Sequence, residues 1–199
     1  MTAENIDLSA LEELLAQQDE PQVSPDEFKT VFRNHPAGVA VVALLHEGRP
    51  VGFTATSVIS VSAAPPLLAF SLASTSSSWP AVSEASTLAV SFLADHQDNI
   101  SARFATSGID RFADGGWTPL PTGEPVIDGA VSWFRARVVQ RTPVGDSYLV
   151  SLRALESSLT AASARPGTGA GTAARREPKA SPLVYKDRTY HRIGDDTTI

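Results

Sequence analysis

The sequence predicts a mainly β protein, an antiparallel β-barrel with peripheral helices. Three observations predict it. Short β-branched and aromatic runs recur between Gly, Pro and Ser breaks. Helical periodicity is confined to a few segments. No regular β-α-β alternation appears, so a parallel sheet is not expected.

The chain has 199 residues, enough for one compact domain with a real core. Its apolar fraction of 42% is ordinary for a globular protein, and no run approaches the roughly 20 apolar residues of a spanning helix. The start, MTAENIDLSALEELL, has no basic region before its apolar residues and does not read as a signal peptide. Cysteine is absent, which excludes disulfides, thiolate catalysis and Cys-based metal sites, and fits reduced, cytoplasmic surroundings. Net charge is −6, and residues 1–27 hold eight acids and no Lys or Arg. An acidic balance argues against general nucleic-acid binding but leaves room for a small anion held by a few local groups.

Residues 1–24 read as a separate acidic segment. Ser9 with Glu12 forms a capping box for a short helix bearing Leu11, Leu14 and Leu15, either a frayed tail or a docking helix. Ser24, Pro25 and Glu27 start a second helix with Phe28, Val31 and Phe32 on one face, ending near Asn34-His35-Pro36. AGVAVVALL from Ala37 is a strand buried on both faces, HEGRP a turn, and VGFT the returning strand. SVISVSA and LLAFSLA are strands on either side of Pro65-Pro66. Ser78 caps a short helix, WPAVSEA. TLAVSFLA is a strand and HQDNISARFA a helix with Ile100 and Phe104 on one face. Residues 107–129, rich in Gly, Pro and Asp, read as an irregular loop. AVSWFRARVVQ and SYLVSLRALE are long strands joined by the turn RTPVGD, with Tyr148, Val150, Leu152 and Ala154 on one side. Residues 157–181 contain a single Leu as their large apolar residue and are expected to form a mobile insert. PLVYKDRTYHRI returns as two short strands about a Lys-Asp turn.

The sequence offers little for metal or covalent catalysis. His35, His46, His96 and His191 make no H-x-x-x-H or H-x-H pair, and no G-x-S-x-G elbow, Walker loop or GxGxxG is present. No catalytic or metal-binding residue is assigned. What remains is binding chemistry at two hydroxyl-rich strand ends. Thr54, Thr56 and Ser57 can bond the polar edge of a planar ligand, or satisfy their own backbone in a turn. Ser74 to Ser78 can hold a phosphate through hydroxyls and the start of the next helix, or simply cap that helix. Arg103-Phe104 and Arg111-Phe112 each place a cation beside an aromatic ring.

GVAVV, GFTATSVISVSAAPPLLAFSLA, SSSWP, ISARFA, DRFA, TGEP, the Gly145-Asp146 turn and PLVYKDRTYHRI, in that order, resemble the flavin reductase-like domain family over about residues 26–195. The resemblance implies an FMN-binding split β-barrel of Greek-key-like topology. It sets the domain at 25–195, with 1–24 outside as a tail and 157–181 as an insert. It implies a homodimer that reduces FMN or FAD with NADH or NADPH and supplies a partner monooxygenase. By position, Thr54, Ala55, Thr56, Ser57 and Val58 would contact the isoalloxazine and ribityl chain. Ser71, Leu72, Ala73, Ser74, Ser76, Ser77 and Ser78 would hold the ribityl chain and phosphate, with Arg103 and Phe104 completing the phosphate side. Arg111, Phe112, Asp146 and Ser147 would lie toward the nicotinamide. Ser147 stands where relatives often carry His, and Ala64 where they often carry Asp. The first departure keeps open a flavin carrier or sensor without reductase activity; a non-flavin heterocycle binder is a third reading.

Overall fold

A computed structural model of the chain describes residues 21–159 and 180–194. The expected helix at Ser9 and most of the expected insert (160–179) lie outside the described residues. The chain divides into two units, residues 1–35 and 36–199.

In the first unit, helix α1 spans Pro25–Arg33. The Ser24 side chain accepts the Glu27 N–H at 3.2 Å, and Asn34 closes the helix, as the capping residues predict. Phe28 and Phe32 pack ring to ring at 4.7 Å on an exposed apolar face shared with Val31.

The second unit is built on a seven-stranded antiparallel sheet ordered β3-β2-β6-β9-β10-β5-β4. These strands are β2 (Ala40–His46), β3 (Arg49–Ala55), β4 (Ile59–Ser62), β5 (Leu67–Ala73), β6 (Thr87–Phe92), β9 (Ser132–Val144) and β10 (Ser147–Ser157). Phe53 on β3 and Phe70 on β5 belong to the first and sixth strands of that order, yet their rings meet edge to face at 5.7 Å. The sheet therefore curls into a barrel round a single core. Two register shifts between β9 and β10, bulges of the kind that bend long strands, assist the curl. Helix α2 (Trp79–Glu84) contributes Ala81 and Val82 to this core.

β2 is buried on both faces, as its unbroken apolar run predicts. Ala40, Val42 and Leu44 face the barrel core, while Val41 and Ala43 face a second cluster outside it. That cluster gathers Phe104 of helix α3 (Asp98–Ala105), Phe112, Ile127 of β8 (Pro125–Ile127) and Leu183 of β11 (Leu183–Lys186). The turn between β2 and β3 carries positive φ at Glu47 (49°) and Gly48 (75°), the geometry a two-residue hairpin requires.

Three expectations are revised. The 107–129 segment is not wholly irregular, because β7 (Trp117–Pro119) pairs with β8 (Pro125–Ile127). Such short, proline-flanked strands carry almost no local signal and are held by the burial of Ile127. The six-residue turn expected at RTPVGD shrinks to Gly145-Asp146, with Val144 paired to Ser147. Pro143 is tolerated in β9 because β6 pairs only as far as Arg137, leaving that stretch one neighbouring strand. Finally, Ser157 completes β10 rather than opening the insert, and the Ser181 carbonyl accepts the Asp95 N–H at 2.8 Å. A three-stranded sheet, β1 (Ala37–Gly38) with β11 (Leu183–Lys186) and β12 (Thr189–Arg192), completes the unit. The β11–β12 turn falls at Asp187-Arg188, both with positive φ, one residue beyond the expected Lys-Asp turn because Lys186 pairs with Thr189. Among the described residues no helix is long and apolar enough to cross a membrane.

Candidate functional site

The β3–β4 corner lies against strand β5, held by the pairing of β4 with β5 and by the Ser57 side chain. The Ser57 hydroxyl accepts the Ser71 N–H at 3.0 Å and donates to the Ser71 carbonyl at 3.2 Å. The Thr54 hydroxyl donates to the carbonyl of Ser101 on α3 at 2.6 Å, and the Ser101 hydroxyl accepts from Tyr190 on β12 at 3.0 Å. Two of the three corner hydroxyls thus stitch the corner to its neighbours. Ala55 and Leu72 are buried and Thr56 is exposed. Val58 packs on the barrel core and lines an apolar cavity of about 300 Å³ with Leu68, Phe92 and Phe134.

The serine loop after β5 is pinned at both ends. Ser74 donates its N–H (3.0 Å) and its hydroxyl (2.8 Å) to the Asp146 carbonyl. The Ser147 hydroxyl donates to the Asp146 carboxylate at 2.8 Å. Residues assigned separately to the phosphate and to the nicotinamide are therefore neighbours. Trp79 and Tyr148 stack across the same junction, ring centroids 3.8 Å apart and planes inclined by 15°. Ala73 and Ser77 are exposed, and the Ser76 hydroxyl accepts the Ser78 N–H at 3.3 Å.

Ser78 occupies the cap position of α2, but its hydroxyl does not cap the helix. It is fully buried and accepts from Arg111 Nη1 at 3.1 Å. That guanidinium also donates to the Gly52 carbonyl at 2.7 Å and, through Nε, to the Thr106 carbonyl at 2.8 Å. Desolvation lowers the Arg111 pKa, yet an arginine so bonded remains charged at neutral pH. Ser77, Ser78, Val51, Asp110 and Arg111 line a cavity of about 280 Å³. Arg111 and the two serines are the donors a phosphate would take there, and the Asp110 carboxylate in the same lining accepts the Phe112 N–H at 3.0 Å. Helix α2 has six residues, so its dipole adds little to an anion site that Arg111 and the serines would dominate.

Arg103 goes elsewhere. It donates to the Asp114 carboxylate at 3.3 Å and to the Gly115 carbonyl at 3.0 Å, and its Cζ lies 5.6 Å from the Phe104 ring centre. It does not line the cavity that holds Arg111. Phe104 and Phe112 are both buried and meet edge to face at 4.9 Å. Both belong to the second cluster; Phe104 is closed off in it, while Phe112 also lines the cleft that holds Arg111. Gly52 makes this packing possible, because a Cβ there would sit 3.0 Å from ring carbons of both phenylalanines. Sequence reasoning missed Gly52, Ser101 and Tyr190. A glycine inside a strand pattern is a signal of close approach; Ser101 and Tyr190 carried none.

The sequence profile of the flavin reductase like domain matches residues 32–194. The chain belongs to the flavin reductase-like domain family. An NADH:FMN oxidoreductase from Rhodococcus qingshengii is 42% identical over 83% of this chain and 80% of its own length. The reductase subunit HsaB of a flavin-dependent monooxygenase from Mycobacterium tuberculosis is 32% identical over 65% of this chain and 69% of its own. The crystal structure of a flavin reductase domain protein from Arthrobacter sp. FB24 superimposes with a TM-score of 0.72 at 29% identity, covering 86% of this chain and 96% of that one. The curled seven-stranded sheet is thus the split barrel of the flavin reductase-like family. Its first hydroxyl-rich corner is tied to β5 by Ser57–Ser71, and its second to the β9–β10 turn by Ser74–Asp146.

Proposed function

We propose that this flavin reductase-like protein oxidises NADH or NADPH, reduces FMN or FAD, and supplies the reduced flavin to a partner monooxygenase. The relatives named as an NADH:FMN oxidoreductase and as a monooxygenase reductase subunit support this reading. The observation that carries it is the Arg111–Ser78 contact in a cleft beside the serine loop, a ready seat for the flavin phosphate. When bound, a flavin accepts two electrons and a proton as hydride from the nicotinamide, and cofactor chemistry of this kind asks the protein for alignment rather than for an acid or base.

The chain's own residues supply that alignment. Arg111, expected from the resemblance on the nicotinamide side, takes the phosphate in place of Arg103, together with Ser77 and Ser78. Ser71 to Ser74 carry the ribityl chain along β5, with Ser57 fixing the strand beneath it. Backbone groups of Thr54 to Val58 meet the polar ring edge, because the Thr54 and Ser57 hydroxyls are already bonded. Asp146 and Ser147, joined to the serine loop by Ser74, border the nicotinamide. Phe104 shapes the second cluster behind the site with Arg103 beside its ring, and Phe112 joins that cluster to the wall of the cleft. The working domain takes residues 25–195, with 1–24 outside it and an insert that begins after Ser157. It is cytoplasmic and pairs as a homodimer; exposed Ile59 and Val61 on edge strand β4, beside the apolar cavity, support pairing there.

The test is steady-state oxidation of NADH and of NADPH with and without FMN or FAD. Oxidation that rises saturably with added flavin is the expected result. Oxidation indifferent to flavin removes the reading, and tight stoichiometric flavin without turnover replaces it with a carrier.

A further inference from the structure

Arg141 lies on β9 directly opposite Val150, which is fully buried in the barrel core. Cross-strand partners project to the same face, so Arg141 carries a guanidinium on a core-facing position. A charge there is tolerated only if its N–H groups are taken up. Nε donates to the Val82 carbonyl at 2.9 Å, and Nη2 donates to the Ala85 carbonyl. Val82 and Ala85 lie at the C-terminal end of α2, where backbone carbonyls lack helical partners and a cation is favoured. At the other end of the same six-residue helix, Arg111 holds Ser78. A helix this short has little stability of its own, so its placement depends on packing and on these two arginines.

We infer that Arg141 is a positioning residue for flavin-phosphate recognition. It latches α2 from behind and thereby keeps Ser77 and Ser78 against Arg111, although it lines neither cavity. The inference rests on the reading of the Arg111–Ser78 cleft as the phosphate seat. It separates Arg141 from a merely stabilising residue, because a latch on the serine loop affects ligands that carry the phosphate and spares those that lack it.

The experiment compares FMN with riboflavin, which lacks the phosphate, in the full-length wild type, in Arg141→Met and in Arg141→Lys. Dissociation constants are read by flavin fluorescence quenching, and kcat at saturating FMN by NADH oxidation. Arg141→Met is expected to weaken FMN binding about tenfold while riboflavin changes by less than about twofold. Arg141→Lys, which keeps a cation near the carbonyls, is expected to recover part of the loss, and kcat stays within about twofold of wild type. If Arg141→Met fails to fold, the FMN-to-riboflavin ratio in Arg141→Lys decides. Equal weakening of both ligands, or no change in either, overturns the inference while leaving the phosphate seat in place. A wild type that binds FMN and riboflavin equally removes the phosphate seat itself, and the inference with it.

Discussion

Arg111 donates a guanidinium N–H to the Gly52 carbonyl at 2.7 Å, which ties the loop after α3 to the middle of strand β3. The same nitrogen reaches the Ser78 hydroxyl. One side chain therefore links the barrel wall, the outer cluster and the serine loop. Arg103, eight residues earlier in the chain, faces Asp114 and Gly115 instead.

Arg111→Ala should weaken FMN binding by about 1.5–3 kcal/mol, the range for a hydrogen bond to a charged group. Arg103→Ala should weaken it by less, because its charge is engaged on Asp114. Titration of both variants with FMN checks the order. A larger loss in Arg103→Ala would return the phosphate to the ISARFA arginine.

Gly52→Ala should destabilise the protein by about 1–3 kcal/mol through overpacking. The new methyl would meet Phe104, Phe112 and the Val42 carbonyl, each at 3.0 Å. Urea denaturation measures the loss. Replacing one of the two rings as well, in Gly52→Ala with Phe112→Leu, should restore part of it by opening space.

Ser57→Ala removes both hydrogen bonds to Ser71. On a partly exposed site water replaces them in part, so the expected cost in stability is about 1 kcal/mol. FMN affinity should fall as well, because the β3–β4 corner is then held to β5 by the β4–β5 pairing alone. Thermal melts and flavin titration on one preparation give both quantities.

Glu124 is buried and accepts from Arg135 Nε at 2.9 Å and from the Thr122 hydroxyl. Burial pushes its carboxyl up, but hydrogen bonds from Thr122 and Thr87, its own backbone and the Arg135 charge together hold it below the ordinary glutamate value. A depressed folded-state pKa contributes stability above the unfolded value and loses it as pH falls through the folded one. Melting temperature should therefore drop on acidification below the usual glutamate range. Glu124→Gln should flatten that part of the profile and cost about 3 kcal/mol at neutral pH, since Arg135 is left without its counter-charge.

Much of the barrel is legible in the chain. The Ser24 cap, the hairpin at Glu47-Gly48, the strands flanking Pro65-Pro66 and the inward set Tyr148, Val150, Leu152, Ala154 all appear where the sequence predicts them. Each depends on residues close together in sequence. The β7–β8 pair was hidden because three-residue strands have no period to read, and the RTPVGD turn was overdrawn because proline alone does not say how many neighbours a strand has.

Alternation and turn chemistry determined by themselves which segments are strands, which faces they bury, and which two corners gather hydroxyls. Only the tertiary structure decided which partners those hydroxyls and arginines meet. Ser57 finds Ser71, Ser74 finds Asp146, and Ser78 finds Arg111. Local periodicity sets the side a residue faces. The neighbour it touches across a curled sheet depends on register and closure, and these are settled by the packing of the whole core.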